Sequence, residues 1–345
     1  MVVWGVMLAA EAGRARRPSI SAEAVSRFQS IFLSPFFGAA ELHFAAKRSI
    51  IVPAPNGYFL YCITTVMIVK KISAREGLFS MLTNYHTHTT RCGHAEGTEE
   101  EYILTALRCG YKVLGFSDHT PWAYATPGFV SHIRMLPAQL DDYVLTLRSL
   151  REKYADRLHL HIGLEAEYFP TYLGWLKEET ERLGIEYLIL GCHYDTTDEQ
   201  DAKARRFGGS ASPAHGRRYA EQVEQALETG LYRYLAHPDL FLNRMTAFDA
   251  EAEKACRAVC AAAARLDIPL EYNMAGLTLQ RRPDGSLGYT RDEFWRIAAE
   301  YPVRAIVGCD AHAPSELDVV PLIEEKRAFL QGLGIPVLDT LPGLE

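Results

Sequence analysis

The sequence lacks the patterns that define several classes of protein. Its seven cysteines are odd in number and include no C-x-x-C pair, which argues against a zinc ribbon or a disulfide framework and favours a reducing, cytoplasmic compartment. An apolar run at residues 58–69 is 12 residues long, whereas a membrane-spanning helix needs about 20. No glycine-rich dinucleotide fingerprint follows the first predicted strand after residue 80. We therefore expect neither a membrane protein nor a small disulfide-stapled domain.

The chain also lacks an excess of positive charge in residues 81–345, which make up most of its length. The formal net charge is −7 for 345 residues, but residues 1–80 carry nine basic and four acidic groups, which leaves −12 for residues 81–345. An acidic body binds nucleic acid poorly and repels anionic ligands. We predict no nucleic-acid partner, and a phosphorylated ligand would need bound cations.

Residues 1–80 differ from the rest of the chain, because they show no sustained helical or strand period and carry no motif. We interpret them as an N-terminal extension outside the catalytic domain, either an appended segment or an over-extended reading frame. Met81 is the predicted start of the functional domain, which spans residues 81–345, since a strand and a candidate metal motif follow it at once.

Residues 81–345 alternate short apolar runs with amphipathic helical patterns. Strands are predicted at residues 82–85, 113–117, 158–164, 187–190, 232–236, 269–272 and 303–307. Helical patterns lie at residues 138–154, 172–183, 215–228, 250–266, 291–299 and 315–330, and a Thr98/Glu101 capping box with Gly110 as the stop delimits one more. Seven strands that are each followed by a helix predict parallel βα units. We predict an α/β fold, a TIM-like (β/α)7 barrel, with a doubly wound open sheet as the alternative.

Polar side chains cluster where the predicted strands end. In chain order they are His86, His88, His94, His119, Glu165, His193, His237, Asp310 and His312, while the sixth strand ends at Glu271 and Asn273. Because the carboxyl ends of parallel barrel strands open on one face, these groups should converge. Imidazole and carboxylate together suit Zn, Fe or Mn, and nine such groups can hold two or three divalent ions if Glu165 bridges two of them. Such sites serve phosphate ester hydrolysis, because the ions lower the pKa of a bound water and hold the charged oxygens.

Each motif alone is weak evidence for a metal site. The prediction rests on the occurrence of all of them at the ends of predicted strands. Glu167 is a rival for the role of Glu165, and we expect its side chain to point away from the site, so that Glu167→Gln costs far less than Glu165→Gln.

The order of the motifs, HTH…CGHA…SDH…GLE…CHY…AHPD…GCDAH, resembles the PHP (polymerase and histidinol phosphatase) superfamily. Residues 84–97, NYHTHTTRCGHAEG, are similar to the opening of histidinol-phosphatases of the PHP type. The resemblance implies a distorted (β/α)7 barrel with a trinuclear site of Zn, Fe or Mn. It implies that one ion is held by His86, His88, Glu165 and Asp310, a second by Glu165, His193 and His237, and a third by His94, His119 and His312.

The same resemblance implies a hydrolase that converts L-histidinol phosphate, a small phosphorylated substrate, to L-histidinol and phosphate in histidine biosynthesis. Beside the ligands Glu165 and Asp310, the predicted catalytic residues are Asp118 and Asp239, either as acids for the leaving alkoxide or as partners that orient ligand histidines. The arginines that could bind the phosphate through bidentate hydrogen bonds are Arg134, Arg217, Arg218 and Arg244.

Two alternatives stay open at this point. One is a PHP phosphoesterase that acts on another small ester or a nucleotide, and the other is a metal-stabilised module without turnover. The sequence predicts no oligomeric state.

Overall fold

The computed structural model describes residues 50–53, 59–62, 81–199, 206–278 and 283–344. The chain divides into two compact units, Met1–Gly77 and Leu78–Glu345. In the first unit, strands β1 (Ile50–Pro53) and β2 (Phe59–Cys62) pair antiparallel, with Ile50 opposite Cys62. Most of the predicted N-terminal extension lies outside the described residues, and its boundary stays a prediction.

The second unit is built on seven parallel strands that pair in chain order. They are β3 (Thr83–Asn84), β4 (Val113–His119), β5 (His159–Ala166), β6 (Tyr187–Leu190), β7 (Tyr234–Leu235), β8 (Leu270–Asn273) and β9 (Ala305–Gly308). Sequential order is what successive βα units produce in a barrel, whereas a doubly wound sheet reverses its strand order part-way. The barrel prediction is confirmed, and the doubly wound alternative is wrong.

The barrel closes next to the carboxyl ends of its first and last strands. Thr87 and Ala311 form a parallel bridge beyond β3 and β9. The amide of His88 donates to the carbonyl of Ala311 at 2.9 Å, and the amide of Ala311 donates to the carbonyl of His86 at 3.2 Å. The closure therefore brings residues 86–88 directly beside residues 310–312, which are more than two hundred positions away in the sequence.

Helices connect the strands at the predicted places, and one short helix, Met274–Thr278, was not predicted. They are α1 (Glu99–Cys109), α2 (Leu140–Tyr154), α3 (Leu173–Leu183), α4 (Pro213–Glu228), α5 (Ala250–Leu266), α6 (Met274–Thr278), α7 (Asp292–Ala298) and α8 (Val320–Gly332). The capping box of α1 is present, with the Glu101 side chain accepting from the Thr98 amide at 2.7 Å and Gly110 in the left-handed conformation. The pattern at 315–330 is interrupted, because a 3₁₀ turn at Pro314–Leu317 precedes α8.

The barrel interior has an apolar layer beneath the carboxyl ends of its strands. Side chains along a strand alternate between two faces, so Val113 and His119 share one face of β4, as Tyr187 and Ile189 share one face of β6. The apolar side chains of this interior face form one buried cluster with Tyr85, Tyr234, Ala236, Ile306 and Leu341. Polar side chains on the same faces therefore lie directly above tightly packed apolar side chains.

The described residues contain no helix that is both long and apolar enough to cross a membrane. The cysteines whose side chains are described, Cys92, Cys109, Cys192, Cys256, Cys260 and Cys309, are all free thiols.

We expect a chain that begins at Met81 to keep its fold and its turnover. The seven barrel strands and all nine candidate ligands lie after this residue, in the unit that begins at Leu78. The melting temperature and turnover of the shortened chain, compared with those of the full chain, test this. Loss of soluble, active protein would show that the N-terminal segment is needed by the barrel.

Candidate metal centre

Glu165 lies at the centre of the polar cluster, at the carboxyl end of β5. Its Oε2 atom is 2.9 Å from Nδ1 of His119 and 3.5 and 3.6 Å from Nε2 of His86 and His88. Its Oε1 atom is 2.8 Å from Nε2 of His237 and 3.3 Å from Nε2 of His193. The two oxygens thus face two different sets of imidazoles, which is the arrangement that a bridging carboxylate requires.

Asp310 faces the first of these sets from the other side of the barrel closure. Its Oδ1 atom is 3.1 Å from Nε2 of His88 and 3.3 Å from Nε2 of His86. Asp310 has φ +52°, and His237 has φ +31°. Residues other than glycine rarely adopt a positive φ. Such backbone strain persists where the surrounding structure imposes it, often at functional sites.

His94 and His312 lie at the outer edge of the cluster. The ring of His312 stacks on that of His88 with centroids 4.0 Å apart, and its centroid is 4.6 Å from that of His94. Nδ1 of His94 contacts the carbonyl of Cys92, and Nδ1 of His312 contacts the carbonyl of Asp310, both at 3.0 Å. These contacts fix the rings and leave Nε2 of each available. All nine residues singled out in the sequence therefore form one connected cluster.

Several atoms of this cluster are buried without a hydrogen-bond partner among the described residues. They include Nε2 of His86, Nδ1 of His88, Nδ1 of His237 and Nε2 of His312. A buried polar group without a partner is costly, and a bound cation is one way to satisfy it. Groups of three ligand atoms lie within 4.8 Å of one another, among them His86–His88–Asp310, His119–Glu165–His193 and His88–His119–His312. The residues present fit divalent ions.

His119 lies beside all three ligand groups that the family resemblance implies. The resemblance assigns it to a third ion with His94 and His312. Its Nδ1 is 2.9 Å from Glu165, and its ring centroid is 5.1 Å from that of His193 and 5.4 Å from that of His94. Its ring centroid is closest to that of His88 in the first group, at 4.4 Å, so the assignment of His119 to the third ion stays a prediction.

Carboxylates hold several of the rings by the nitrogen that faces away from the centre. Nδ1 of His86 bonds Glu271 at 2.8 Å, and Nδ1 of His193 bonds Glu167 at 3.1 Å. A carboxylate behind a histidine fixes its tautomer and its orientation and makes it a better ligand. Metal-ligating histidines commonly carry such partners.

Burial and charge set the protonation of the cluster. Burial lowers the pKa of His119 to about 3 and that of His312 to about 4, so both rings are neutral near pH 7. Burial alone would raise the pKa of Glu165, but the surrounding histidines, His193 foremost, hold it well below its usual value. Neutral imidazole and ionised carboxylate are the forms that bind metal.

The pKa values of two other histidines shift in the opposite direction. Burial alone would lower the pKa values of His88 and His193, but neighbouring carboxylates, with Asp118 and Asp310 beside His88 and Glu165 beside His193, raise both to about 9. The carboxylates of the cluster therefore attract positive charge strongly, and divalent ions would displace these protons.

Glu271 belongs to the site, although we did not predict a role for it from the sequence. Besides bonding Nδ1 of His86, it accepts from the amide of His237 at 3.0 Å and from the side chain of Asn273 at 2.8 Å. Gly308 leaves room for it, because a Cβ there would lie 1.9 Å from Oε1 of Glu271. The signal in the sequence was an acidic residue between Leu270 and Tyr272, inside the predicted strand.

We expect Glu271→Gln to weaken metal binding by about 10- to 100-fold, because His86 loses the partner that fixes its tautomer. Titration of the metal-free protein with Zn²⁺ measures this. Glu186→Gln is the matched control, because Glu186 also bonds a histidine Nδ1, that of His161, at 2.8 Å but touches none of the nine residues. Equal metal affinity in the two variants would contradict the role given to Glu271.

The prediction that Glu167 points away from the site is wrong. Its side chain is fully buried, bonds Nδ1 of His193 and accepts two hydrogen bonds at 2.9 Å from the guanidinium of Arg134. Burial alone would raise the pKa of Glu167, but Arg134 and His193 hold it well below its usual value. Glu167→Gln is therefore not the mild substitution that the sequence suggested.

The four arginines predicted to bind phosphate differ in burial and in their partners. Arg134 is buried, and its guanidinium is taken up by protein acceptors, which contradicts the predicted contact with substrate. Arg218 pairs with Asp195, and Arg244 pairs with Asp284, in both cases at 2.7 Å on the surface. Arg217 is exposed on α4. For the last three arginines, phosphate binding stays a prediction.

The two predicted aspartates differ in their contacts. Asp118 lies 3.5 Å from Nδ1 of His88 and accepts from the amide of His119 at 2.8 Å, which agrees with the orienting role. Asp239 instead accepts from the amides of Thr290 and Arg291, at 3.0 and 2.7 Å, just before α7. Its carboxylate therefore fixes a backbone segment rather than a ligand ring, and burial raises its pKa to about 6.

The chain is similar to known proteins over most of the second unit. A family model described as PHP domain matches residues 84–275. A curated protein named probable histidinol-phosphatase, from Deinococcus radiodurans, is 30% identical over 246 residues, which cover 68% of this chain and 88% of that protein. A second protein of the same name, from Schizosaccharomyces pombe, is 29% identical over 115 residues, or 32% of this chain and 38% of that protein.

A solved structure extends the likeness to the fold. It is the histidinol phosphate phosphatase of Lactococcus lactis, complexed with zinc, L-histidinol and phosphate. Its TM-score is 0.57 at 15% identity, and the match covers 76% of this chain and 98% of that one. At this identity the match shows the fold alone, and it agrees with the distorted (β/α)7 barrel described above.

Proposed function

Since the chain belongs to the PHP domain family, we propose that it is a metal-dependent phosphomonoesterase that hydrolyses L-histidinol phosphate to L-histidinol and phosphate. The relatives named above support the substrate, and the cluster around Glu165 supports the chemistry. The predicted cytoplasmic location is kept as part of this proposal.

The observation that carries the proposal is the position of Glu165. Its two oxygens face two sets of imidazoles within 2.8–3.6 Å, and one carboxylate can in this way serve two cations. A single-ion hydrolase needs no such central carboxylate and no more than three or four ligands. Nine converging ligands favour a centre of two or three divalent ions, of which Zn, Fe and Mn suit the ligand types.

We assign the ligands to three groups. His86, His88, Glu165 and Asp310 would hold one ion, Glu165 with His193 and His237 a second, and His94, His119 and His312 a third. Bound divalent ions supply Lewis acidity for the phosphoryl oxygens and lower the pKa of water to near neutrality. The protein positions the ligands for this through Glu271, Glu167 and Asp118, which hold rings from behind.

The charge of the chain agrees with an ion-dependent phosphatase. Residues 81–345 carry a net charge of −12, which repels a phosphate dianion. None of the described arginines predicted to bind phosphate contacts the nine-residue cluster in the hydrogen bonds and ion pairs of the structure. The attraction for the phosphate would therefore come mainly from the ions.

A turnover screen tests the substrate. The metal-loaded protein is assayed with L-histidinol phosphate beside p-nitrophenyl phosphate, glycerol 3-phosphate and AMP, with phosphate release as the readout. We expect kcat/KM for L-histidinol phosphate to exceed that for each other ester by about 10² or more, because a pocket built for the amino alcohol rejects molecules that lack its polar groups. Preference for another ester would overturn the proposed substrate but would leave the proposed phosphatase activity intact. Absence of turnover on every ester would contradict the enzyme itself.

A further inference from the structure

Resting on the metal centre proposed above, and not on the identity of the substrate, we propose that Arg134 is a positioning residue that holds the ligand His193 in place through Glu167. Arg134 lies in the long connection between β4 and α2, and its side chain is 1% exposed.

Every nitrogen of the guanidinium has an acceptor. Nη1 and Nη2 donate to the two carboxylate oxygens of Glu167, both at 2.9 Å. Nη2 and Nε also donate to Oδ2 of Asp198, at 3.2 and 3.3 Å, and Nη1 donates to the carbonyl of Thr120 at 3.2 Å. This planar, two-pronged contact fixes the plane of the Glu167 carboxylate, which a lysine ammonium would not do.

The orientation of Glu167 matters because its other contacts reach the metal centre. Oε1 of Glu167 bonds Nδ1 of His193 at 3.1 Å, and Oε2 accepts from Nε1 of Trp122 at 2.9 Å. Nε2 of His193 in turn lies 3.3 Å from Oε1 of Glu165. One row of contacts therefore runs from Asp198 through Arg134, Glu167 and His193 to the central carboxylate.

Arg134 also joins two loops to the end of β5. Asp198, which lies on the loop after β6, accepts from the hydroxyl of Ser131 at 2.6 Å and from that of Tyr124. His193 lies in the same loop as Asp198, so the guanidinium holds this loop directly at Asp198 and, through Glu167, at His193. Without Arg134, the buried carboxylates of Glu167 and Asp198 would lose the guanidinium that both of them contact, and His193 would lose its fixed partner.

Metal titration of the full chain tests the proposal. The protein is stripped with a chelator, titrated calorimetrically with Zn²⁺, and separately loaded with Co²⁺ as a spectroscopic probe of ligand geometry. The variants are Arg134→Met, which removes the charge at similar length, and Arg134→Lys, which keeps the charge but loses the fork. Arg182→Met is the matched control, because Arg182 makes a two-pronged contact with Asp141 at 2.7 Å that lies on the surface.

We expect Arg134→Met to weaken one class of Zn²⁺ sites by about 10- to 100-fold and to change the visible Co²⁺ spectrum, while the other sites bind normally. Arg134→Lys should weaken the same sites by a smaller factor, and Arg182→Met should bind as the unchanged protein does. If circular dichroism shows that Arg134→Met does not fold, the Zn²⁺ titration and Co²⁺ spectrum of Arg134→Lys test the proposal instead.

Unchanged Zn²⁺ affinities and Co²⁺ spectra in the folded Arg134 variants would overturn the proposal. A loss spread equally over all sites, or matched by Arg182→Met, would also overturn it, because it would indicate general destabilisation. The titration contains no substrate, so its outcome is independent of whether L-histidinol phosphate is hydrolysed.

Discussion

Replacing Glu165 by glutamine is expected to remove at least one metal equivalent per chain and to lower turnover by about 10³ or more, which corresponds to about 4 kcal/mol of transition-state stabilisation. Glutamine keeps the shape of the side chain but removes its charge and turns an amide nitrogen towards the cations. Two cations a few ångströms apart repel each other, and a bridging anion offsets that repulsion. Elemental analysis and steady-state turnover measure the two effects.

The control for this variant is Glu186→Gln, since Glu186 contacts a histidine outside the cluster. It should keep both metal content and rate. Full metal content with a near-normal rate in Glu165→Gln would show that strand β5 supplies no bridging ligand.

Replacing Gly191 by alanine should have the second largest effect. A Cβ at this position would lie 2.2 Å from Oε1 of Glu165 and 2.5 Å from its Cδ. Glu165 is buried and surrounded by five histidines, so it cannot move away without breaking those contacts. We expect the displaced carboxylate to lower turnover by about 10² or more, because displacements near 1 Å at a reacting centre have effects of this size, and to cost about 1–3 kcal/mol of stability.

Gly174→Ala is the matched control, because a Cβ there meets nothing within 4 Å and Gly174 lies in the first turn of α3. Turnover should be unchanged in that variant. Measurement of kcat, Zn²⁺ content and melting temperature in both variants separates the contact with Glu165 from a general effect of adding a methyl group. Normal turnover in Gly191→Ala would mean that the position of Glu165 is not critical.

The sequence sufficed to predict the barrel and the convergence of the nine polar residues, because both depend on local patterns. Short apolar runs followed by polar residues mark strand ends, and parallel strands place all their carboxyl ends on one face. His86 and Asp310 could therefore be placed together although 224 positions separate them in the sequence. The T-x-x-E pattern before α1 was equally local, and its capping box is present.

The residues that support the ligands could not be assigned in this way. Whether Glu271 holds His86 depends on the stagger of β8 and β3, which β9 separates in the closed barrel, and no local pattern records that stagger. Arg134 lies in a long connection without any period, so its burial against Glu167 follows only from the packing of two loops. Asp239 lies two positions after His237 in the sequence, but its carboxylate accepts from the backbone before α7 rather than from a histidine ring. Its role as an acid stays a prediction.

The most direct test of the account is a titration of the metal-free chain with divalent metal, with turnover of L-histidinol phosphate followed at each addition. The account predicts that turnover rises only as the second and third equivalents per chain bind, and that it reaches its plateau with two or three bound, because Glu165 serves more than one ion. Full turnover with a single equivalent, or with none, would contradict the multi-ion centre on which the proposed function rests.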